Sequence, residues 1–218
     1  ISHVVASPDE VIGQVDAVVI ATDKGHEHVE RCKPFIDAGL PIFIDKPLTD
    51  NEEDLRTFCS WHDAGKQLMS TSALRYAREL ETHRTDLHSL IGDARFICVT
   101  TSKSWERYGI HALEFMYPVL GPGFLSIRNT GTSDRNVVHI THDSGVDVTI
   151  SAVSDMYGGF GAFLACGTDG TSFVRFEDTF FAFKSQLEVF VDYLKSGVNP
   201  VPFAETVELM KLVAAGTR

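Results

Sequence analysis

The stretch DAVVIA at residues 16–21 is a short, continuous apolar run, which is typical of a strand buried on both faces. A helical pattern follows it, and a second run of the same kind, PIFID, stands at residues 41–45. A capping-box pattern at residues 49–52 opens another helix, and residues 67–70 begin a further strand. Strand, helix, strand, helix, strand with short connections predicts a parallel βαβαβ sheet with right-handed crossovers.

The pattern changes after about residue 92. Residues 145–153 alternate apolar and polar side chains, as in an antiparallel sheet with one solvated face. Further strands are predicted at residues 93–101, 125–132, 136–141, 163–166 and 172–176, and helices at 108–120 and in two C-terminal stripes. The predicted fold class is therefore α/β plus α+β. Residues 1–75 form part of a Rossmann-type parallel sheet, and residues 76–218 form a predominantly antiparallel open sheet with helices on one face.

Composition excludes several classes of function. The net charge is −11 and the pI is near 5.2, so a basic surface for nucleic acid or an anionic membrane is not expected. No apolar run approaches the 18 or so residues of a transmembrane helix. The four cysteines are Cys32, Cys59, Cys98 and Cys166. Their wide spacing and apolar surroundings indicate free thiols in a reducing compartment, so a cytoplasmic protein is expected.

The ends of two predicted strands carry the first candidate site. In open parallel sheets, ligands bind beyond the carboxyl ends of the strands. Here those ends are residues 22–26 (TDKGH) and 45–47 (DKP). The ammonium of Lys46 could donate to a substrate hydroxyl or carbonyl, although a solvated loop lysine is the simpler interpretation of one lysine alone.

These segments resemble a known family. DAVVIAT at residues 16–22 and HVERCKPFIDAGLPIFIDKPLTDNEEDL at residues 28–55 resemble the second half of the nucleotide-binding domain of the Gfo/Idh/MocA oxidoreductases, the glucose–fructose oxidoreductase and inositol dehydrogenase family. DKP at residues 45–47 is similar to the family's Glu-Lys-Pro. GIHALE at residues 109–114 resembles its Asp-x-Gly-x-His-x-x-Asp segment, and residues 184–215 resemble its closing helices.

The resemblance implies NAD or NADP as cofactor and hydride transfer to or from a sugar, cyclitol or related polyol. Lys46 would polarise the reacting hydroxyl and line the nicotinamide site, and His111 would be the general acid/base, a role that suits a pKa near neutrality. The cofactor-binding residues would be Ala21, Thr22, Asp23, His26, Asp45, Lys46 and Pro47.

Three further side chains are candidates for substrate binding, beside Lys46 and His111. Arg75 could clamp a carboxylate or sugar hydroxyls, and it could equally form an interdomain salt bridge. Trp105 and Tyr108, close to His111 in the sequence, would suit stacking on a sugar face, and packing in the core is the alternative.

Some residues depart from the family's pattern. Arg107 stands where the motif has an aspartate four residues before the histidine, and a cation there is expected to depress the pKa of His111 and cannot relay its proton. Asp45 replaces a glutamate, and the loop after residue 22 lacks the usual proline. The alternative function is therefore a non-catalytic protein of the same fold, acting in ligand binding or as a structural partner.

The sequence also lacks features that complete such an enzyme. No G-x-G-x-x-G follows a first strand, and position 1 is Ile1, so the phosphate-binding unit is expected to lie upstream. The sheet of residues 93–176 is expected to leave one face for a homo-oligomer, a dimer or tetramer. The pairs His26 with His28 and His139 with His142 suggest a metal site, but His139 and His142 would point to opposite faces of a strand, and no metal is expected.

Overall fold

The structure is a computed structural model that describes residues 3–157 and 159–217. Its strands are β1 (Val18–Ile20), β2 (Ile42–Ile44), β3 (Leu68–Met69), β4 (Ala94–Ser102), β5 (Phe124–Asn129), β6 (Arg135–His142), β7 (Asp147–Val153), β8 (Ala162–Gly167) and β9 (Thr171–Arg175). Its helices are α1 (His28–Asp37), α2 (Glu52–Asp63), α3 (Glu81–Ile91), α4 (Ile110–Leu120), α5 (Thr179–Ser196) and α6 (Phe203–Gly216).

The first sheet is parallel, in the order β1-β2-β3, as the sequence predicts. All three residues of β2 are buried, because helices cover both faces of this central strand and an apolar run is needed there. α2 begins two residues beyond the predicted cap: its N-cap is Asn51 rather than Thr49, and the Asn51 side chain accepts a hydrogen bond from the Asp54 backbone N–H.

The second sheet has six strands in the order β5-β6-β7-β4-β8-β9. Four of its five pairings are antiparallel, and β4 pairs with β7 in parallel. The alternation in β7 places Val148 and Ile150 in the core, which confirms the predicted single buried face. Alternation reports which face is buried and carries no information on strand direction, so the parallel pair could not be foreseen.

One helix is absent from the sequence prediction. α3 follows the first sheet, and its amphipathic pattern is weak because few of its residues are apolar. Asp86 inside it has non-helical backbone angles (φ −154°, ψ 50°), which interrupts the periodicity further. Among the residues that the structure describes, no helix is long and apolar enough to cross a membrane.

The two sheets share a continuous apolar core. α5 returns to cover the first sheet, where Phe190 packs on Phe43 of β2 with the ring centroids 5.5 Å apart. α4 is buried along nearly its whole length between the sheets. The first turn of α4 therefore lies near the carboxyl ends of β1 and β2, and this junction holds the candidate site.

Candidate active site

The loops after β1 and β2 are tied together by a buried histidine. Nδ1 of His28 lies 3.0 Å from the Leu48 carbonyl oxygen, and Nε2 lies 2.9 Å and 3.0 Å from the carbonyl and hydroxyl oxygens of Thr22. Gly25 lets the two loops approach, because a Cβ there would lie 2.6 Å from the Asp50 backbone nitrogen. The ends of the two strands are thus held in a fixed relation.

Lys46 is half-buried at the end of β2, between Asp45 and Pro47. Its Nζ lies 5.7 Å from the centroid of the Tyr108 ring, which comes from the segment before α4. Burial raises the pKa of the Asp45 carboxyl, while the neighbouring Lys46 ammonium opposes that shift. The structure therefore brings the predicted Lys46 and Tyr108 into one cluster.

His111 joins this cluster from the first turn of α4, as predicted. Its side chain is buried, and the Tyr108 and Phe160 rings lie edge-on to it, with centroids 4.8 Å and 4.9 Å away. Nδ1 lies 2.7 Å from the hydroxyl oxygen of Ser72, which in turn accepts a hydrogen bond from the Leu74 backbone N–H. Among the described residues none hydrogen-bonds Nε2.

The imidazole of His111 is held neutral. Burial lowers its pKa well below the usual value, and the ammonium groups of Lys46 and Lys103 lower it further. The cations that lower this pKa are Lys46 and Lys103, and not the expected Arg107, whose guanidinium is exposed and donates to the Asp23 carboxylate at 3.3 Å. Arg107 lies in a π-helical turn at residues 105–109 that leads directly into α4, so its spacing to His111 is not that of a regular α-helix.

Lys103 is a member of the cluster that the sequence did not indicate. Its Nζ donates to the Tyr108 hydroxyl at 2.7 Å and lies 4.2 Å from the Tyr108 ring centroid. The residue comes one position after β4, where its backbone has φ 64°. A lysine in a loop has no sequence signal of its own, and only the fold brings it next to the residues of α4.

Arg75 lies on the other side of α4 in a buried network. Its guanidinium donates to Glu114 and, at 2.7 Å, to Glu205, and it lies over the Tyr117 ring. Burial raises the pKa of Glu114, and the Arg75 cation opposes that shift. The Glu114 carboxylate also accepts from the Ser72 backbone N–H at 3.1 Å. This geometry favours the salt bridge between the two parts of the chain over an open clamp.

Trp105 is fully buried, and its indole N–H donates to the Val213 carbonyl oxygen at 2.9 Å. Gly216 packs against the same ring. These contacts favour the packing alternative for Trp105. Tyr108 is partly exposed and contacts Lys46, Lys103 and His111, so of the two aromatic candidates it is the one that reaches the cluster.

Of the seven predicted cofactor residues, three line one groove, and two, Ala21 and Thr22, line a separate one. Asp23, His26 and Pro47 line the first groove together with Glu106 and Arg107, and its volume is about 510 Å³. His26 is exposed, with Nδ1 3.1 Å from a carboxylate oxygen of Asp50. The exposed Ala21 and half-buried Thr22 continue from the end of β1.

The histidine pairs do not assemble a metal site. His26 is exposed while His28 is buried against carbonyl groups. His139 is likewise exposed and His142 buried, on opposite faces of β6. Within residues 3–157 and 159–217 there is no group of three or more histidine, cysteine, aspartate or glutamate side chains that could hold a metal ion.

Comparison with known proteins bears on the first sheet most directly. Residues 1–71 match the model of the Gfo/Idh/MocA family, described as an oxidoreductase family with an NAD-binding Rossmann fold. No curated protein sequence matches the chain. Residues 1–71 are thus similar to an NAD-binding oxidoreductase family, in agreement with the predicted resemblance, the predicted oxidoreductase class and NAD as the cofactor type.

Solved structures extend the agreement in fold over the whole chain. GenD2 from gentamicin A biosynthesis, in complex with NAD, aligns with a TM-score of 0.81 at 18% identity, covering 98% of this chain and 79% of GenD2. Myo-inositol dehydrogenase from Corynebacterium glutamicum aligns with a TM-score of 0.79 at 18% identity, covering 98% of this chain and 80% of that protein. Myo-inositol 2-dehydrogenase from Lactobacillus plantarum aligns with a TM-score of 0.79 at 14% identity, covering 98% of this chain and 81% of that protein. These likenesses confirm the predicted fold class.

Proposed function

We propose that the chain transfers hydride between NAD(P) and a hydroxyl or carbonyl of a sugar, cyclitol or related polyol, and the match of residues 1–71 to the NAD-binding Rossmann fold of the Gfo/Idh/MocA oxidoreductases supports this. The observation that carries the proposal is the cluster of Lys46, Tyr108 and His111 at the carboxyl ends of β1 and β2. Ligands of open α/β sheets bind at this edge. The solved myo-inositol dehydrogenases of the same fold support the substrate class.

The residues at the edge of the sheet fit a nicotinamide nucleotide. The groove of about 510 Å³ offers the carboxylate of Asp23, the imidazole of His26 and the apolar ring of Pro47. Lys46 lies next to Pro47 and faces the Tyr108 ring. In the proposed arrangement Asp23, His26 and Pro47 hold the cofactor, with Ala21, Thr22 and Asp45 beside them. Bound there, the nicotinamide would supply the hydride acceptor.

Lys46 and His111 divide the remaining chemistry. The Lys46 ammonium donates a hydrogen bond to the reacting oxygen and stabilises negative charge as it develops. Nε2 of the neutral His111 takes the hydroxyl proton, while its Nδ1–H donates to the Ser72 hydroxyl. In the reverse direction the imidazolium returns the proton to the carbonyl oxygen. Ser72 thus acts as a positioning residue that fixes the orientation of the ring.

The alternative, a non-catalytic protein of this fold, is favoured by one contact. The Arg107 guanidinium pairs with Asp23, so a predicted cofactor residue is already engaged by an amino acid that departs from the family's motif. The two functions differ in what they predict for cofactor binding. A thermal shift of the full-length protein with NAD or NADP supports the dehydrogenase, and no shift with either cofactor supports the alternative.

Turnover tests the proposed activity directly. The full-length protein is mixed with NAD or NADP and a set of hexoses, inositols and hexuronic acids, and the absorbance of the reduced nicotinamide is followed. We expect reduction with at least one compound. Cofactor binding without reduction of any of them, in either direction of reaction, would contradict the proposed substrate class.

We also propose a homo-oligomer that forms through the outer face of the six-stranded sheet, in the cytoplasm. That face exposes Leu125 and Phe173, which are 70% and 66% accessible. The four cysteines are all free thiols, which supports a reducing compartment. Light scattering on the wild type and on Phe173→Glu tests the assembly: the proposal requires a dimer or tetramer that the charge at position 173 weakens.

A further inference from the structure

Two ammonium groups face the same tyrosine ring in the candidate site. Nζ of Lys103 lies 4.2 Å from the Tyr108 centroid, and Nζ of Lys46 lies 5.7 Å from it. The same ring packs edge-on against His111. Two cations therefore flank the group that would exchange the substrate proton, on a protein whose net charge is −11.

Neither cation has a carboxylate partner. In the part of the chain that the structure describes, no ion pair includes Lys46 or Lys103, whereas Lys24 pairs with Glu27 and Lys184 with Glu188. The nearest acidic neighbour along the chain, Asp45, forms no ion pair with Lys46. Two ammonium groups beside one ring thus leave positive charge that no carboxylate balances, and a bound anion would balance it.

The backbone of Lys103 gives an independent indication. Among residues 3–157 and 159–217, Lys103 is the one non-glycine residue in the left-handed region, with φ 64°. β4 ends just before it at Ser102, whose hydroxyl donates to the Gly159 carbonyl oxygen at 2.6 Å. Non-glycine residues held in this region are concentrated at ligand-binding and active sites.

We propose that the substrate carries an anionic group, a carboxylate or a phosphate, and that Lys103 binds it together with Lys46. This inference rests on the proposed function and narrows its substrate class to acidic sugars or polyols, such as hexuronates or sugar phosphates. Lys103 is then a specificity-determining residue. The aromatic rings of Tyr108 and Phe160, which stack 5.9 Å apart, form the apolar wall beside the anion site.

The test follows anion binding without any turnover. The His111 imidazole resonance of the full-length protein is recorded by NMR while inorganic phosphate, glucuronate or glucose is added. We expect saturable shifts with phosphate and glucuronate that weaken as salt is raised, and a much weaker response to glucose. Lys103→Met should lower the affinity for both anions about tenfold or more, and Lys103→Arg should restore most of it.

A matched control lies on α5, away from the candidate site. Lys184→Met removes an exposed lysine that pairs with Glu188, and it should leave anion binding unchanged. The inference is overturned if neither anion shifts the His111 resonance in a folded protein, or if the shift persists at full affinity in Lys103→Met. It is also overturned if Lys103→Met weakens only NADP binding, because the anion would then be the cofactor's phosphate.

The outcome is separate from that of the proposed function. A protein that binds glucuronate through Lys103 and transfers no hydride contradicts the dehydrogenase activity alone. A protein that reduces NAD(P) with a neutral polyol, and whose His111 does not respond to either anion, contradicts the anionic substrate alone.

Discussion

Two charged clusters flank the first turn of α4, and they differ in whether their cations form ion pairs with carboxylates. Arg75 on one side is buried with two carboxylates, Glu114 and Glu205. Lys46 on the other side is half-buried and has no ion pair within the described residues. His111 belongs to the second cluster and Glu114, three residues later, to the first. Two residues one turn apart on α4 thus contribute a side chain to each cluster.

The difference teaches how charge divides between structure and chemistry at this junction. A buried cation whose donors meet carboxylates is held in place and joins parts of the chain that are distant in sequence. Cations without such partners keep their capacity to bind and polarise a ligand. Ser72 connects the clusters, since its hydroxyl lies at Nδ1 of His111 and its backbone N–H donates to Glu114.

The largest expected effect comes from removing a cation that has no partner. Lys46→Met should lower kcat/KM for hydride transfer by about 10²–10⁴-fold, because the reacting oxygen loses its charged donor. The free energy of unfolding should change little, since no ion pair is broken. Steady-state kinetics and chemical denaturation of the same preparation check both parts. A Lys46→Met variant that loses stability and keeps its activity would contradict the catalytic role proposed for Lys46.

Removing a carboxylate from the Arg75 cluster should affect mainly stability rather than activity. Glu114→Gln leaves Arg75 with Glu205 alone, and the free energy of unfolding should fall by about 3 kcal/mol. Urea denaturation measures it. Glu177→Gln is a control, because no ion pair of the described residues includes that exposed carboxylate. A change below about 0.5 kcal/mol in Glu114→Gln would show that the network is not structural.

The residue that connects the clusters should give a smaller effect. Ser72→Ala removes the hydroxyl at Nδ1 of His111 and keeps the backbone N–H that donates a hydrogen bond to Glu114. We expect kcat to fall about tenfold with KM nearly unchanged, and about 1 kcal/mol less stability. Ser72→Thr should restore much of kcat. A change in KM alone would contradict a positioning role.

The pH dependence of stability should show the smallest effect. Burial, Lys46 and Lys103 lower the pKa of His111 in the folded state below its ordinary value of 6.5. Near and below that value the unfolded chain therefore binds more protons, so the free energy of unfolding falls as pH drops below 6.5. Subtracting the pH profile of His111→Gln isolates this contribution. Equal slopes for the two proteins between pH 6.5 and 5 would contradict the shift.

Much of this arrangement could be predicted from the order of residues along the chain. The apolar runs of β1 and β2 predicted the parallel sheet. The resemblance of residues 45–47 and 109–114 to family motifs predicted Lys46 and His111, and closeness to His111 in the sequence predicted Tyr108. The roles of these side chains remain proposals.

What could not be predicted depends on contacts between distant segments. Ser72 and Lys103 are ordinary polar residues after a strand, and they reach His111 and Tyr108 only through folding. The sequence could not distinguish a ligand clamp from a salt bridge at Arg75, because its partner Glu205 lies 130 residues further along the chain. The parallel pairing of β4 with β7 was hidden for the same reason: alternation is a property of one strand, and direction is a property of two.

The most direct measurement of the central claim is the hydride-transfer rate of His111→Gln in the full-length protein, with thermal unfolding recorded on the same sample. If the cluster of Lys46, Tyr108 and His111 performs the chemistry, the variant binds NAD(P) and unfolds within a few degrees of the wild type. It then transfers hydride about 10²–10⁴-fold more slowly. A folded His111→Gln that transfers hydride at the wild-type rate would contradict the account.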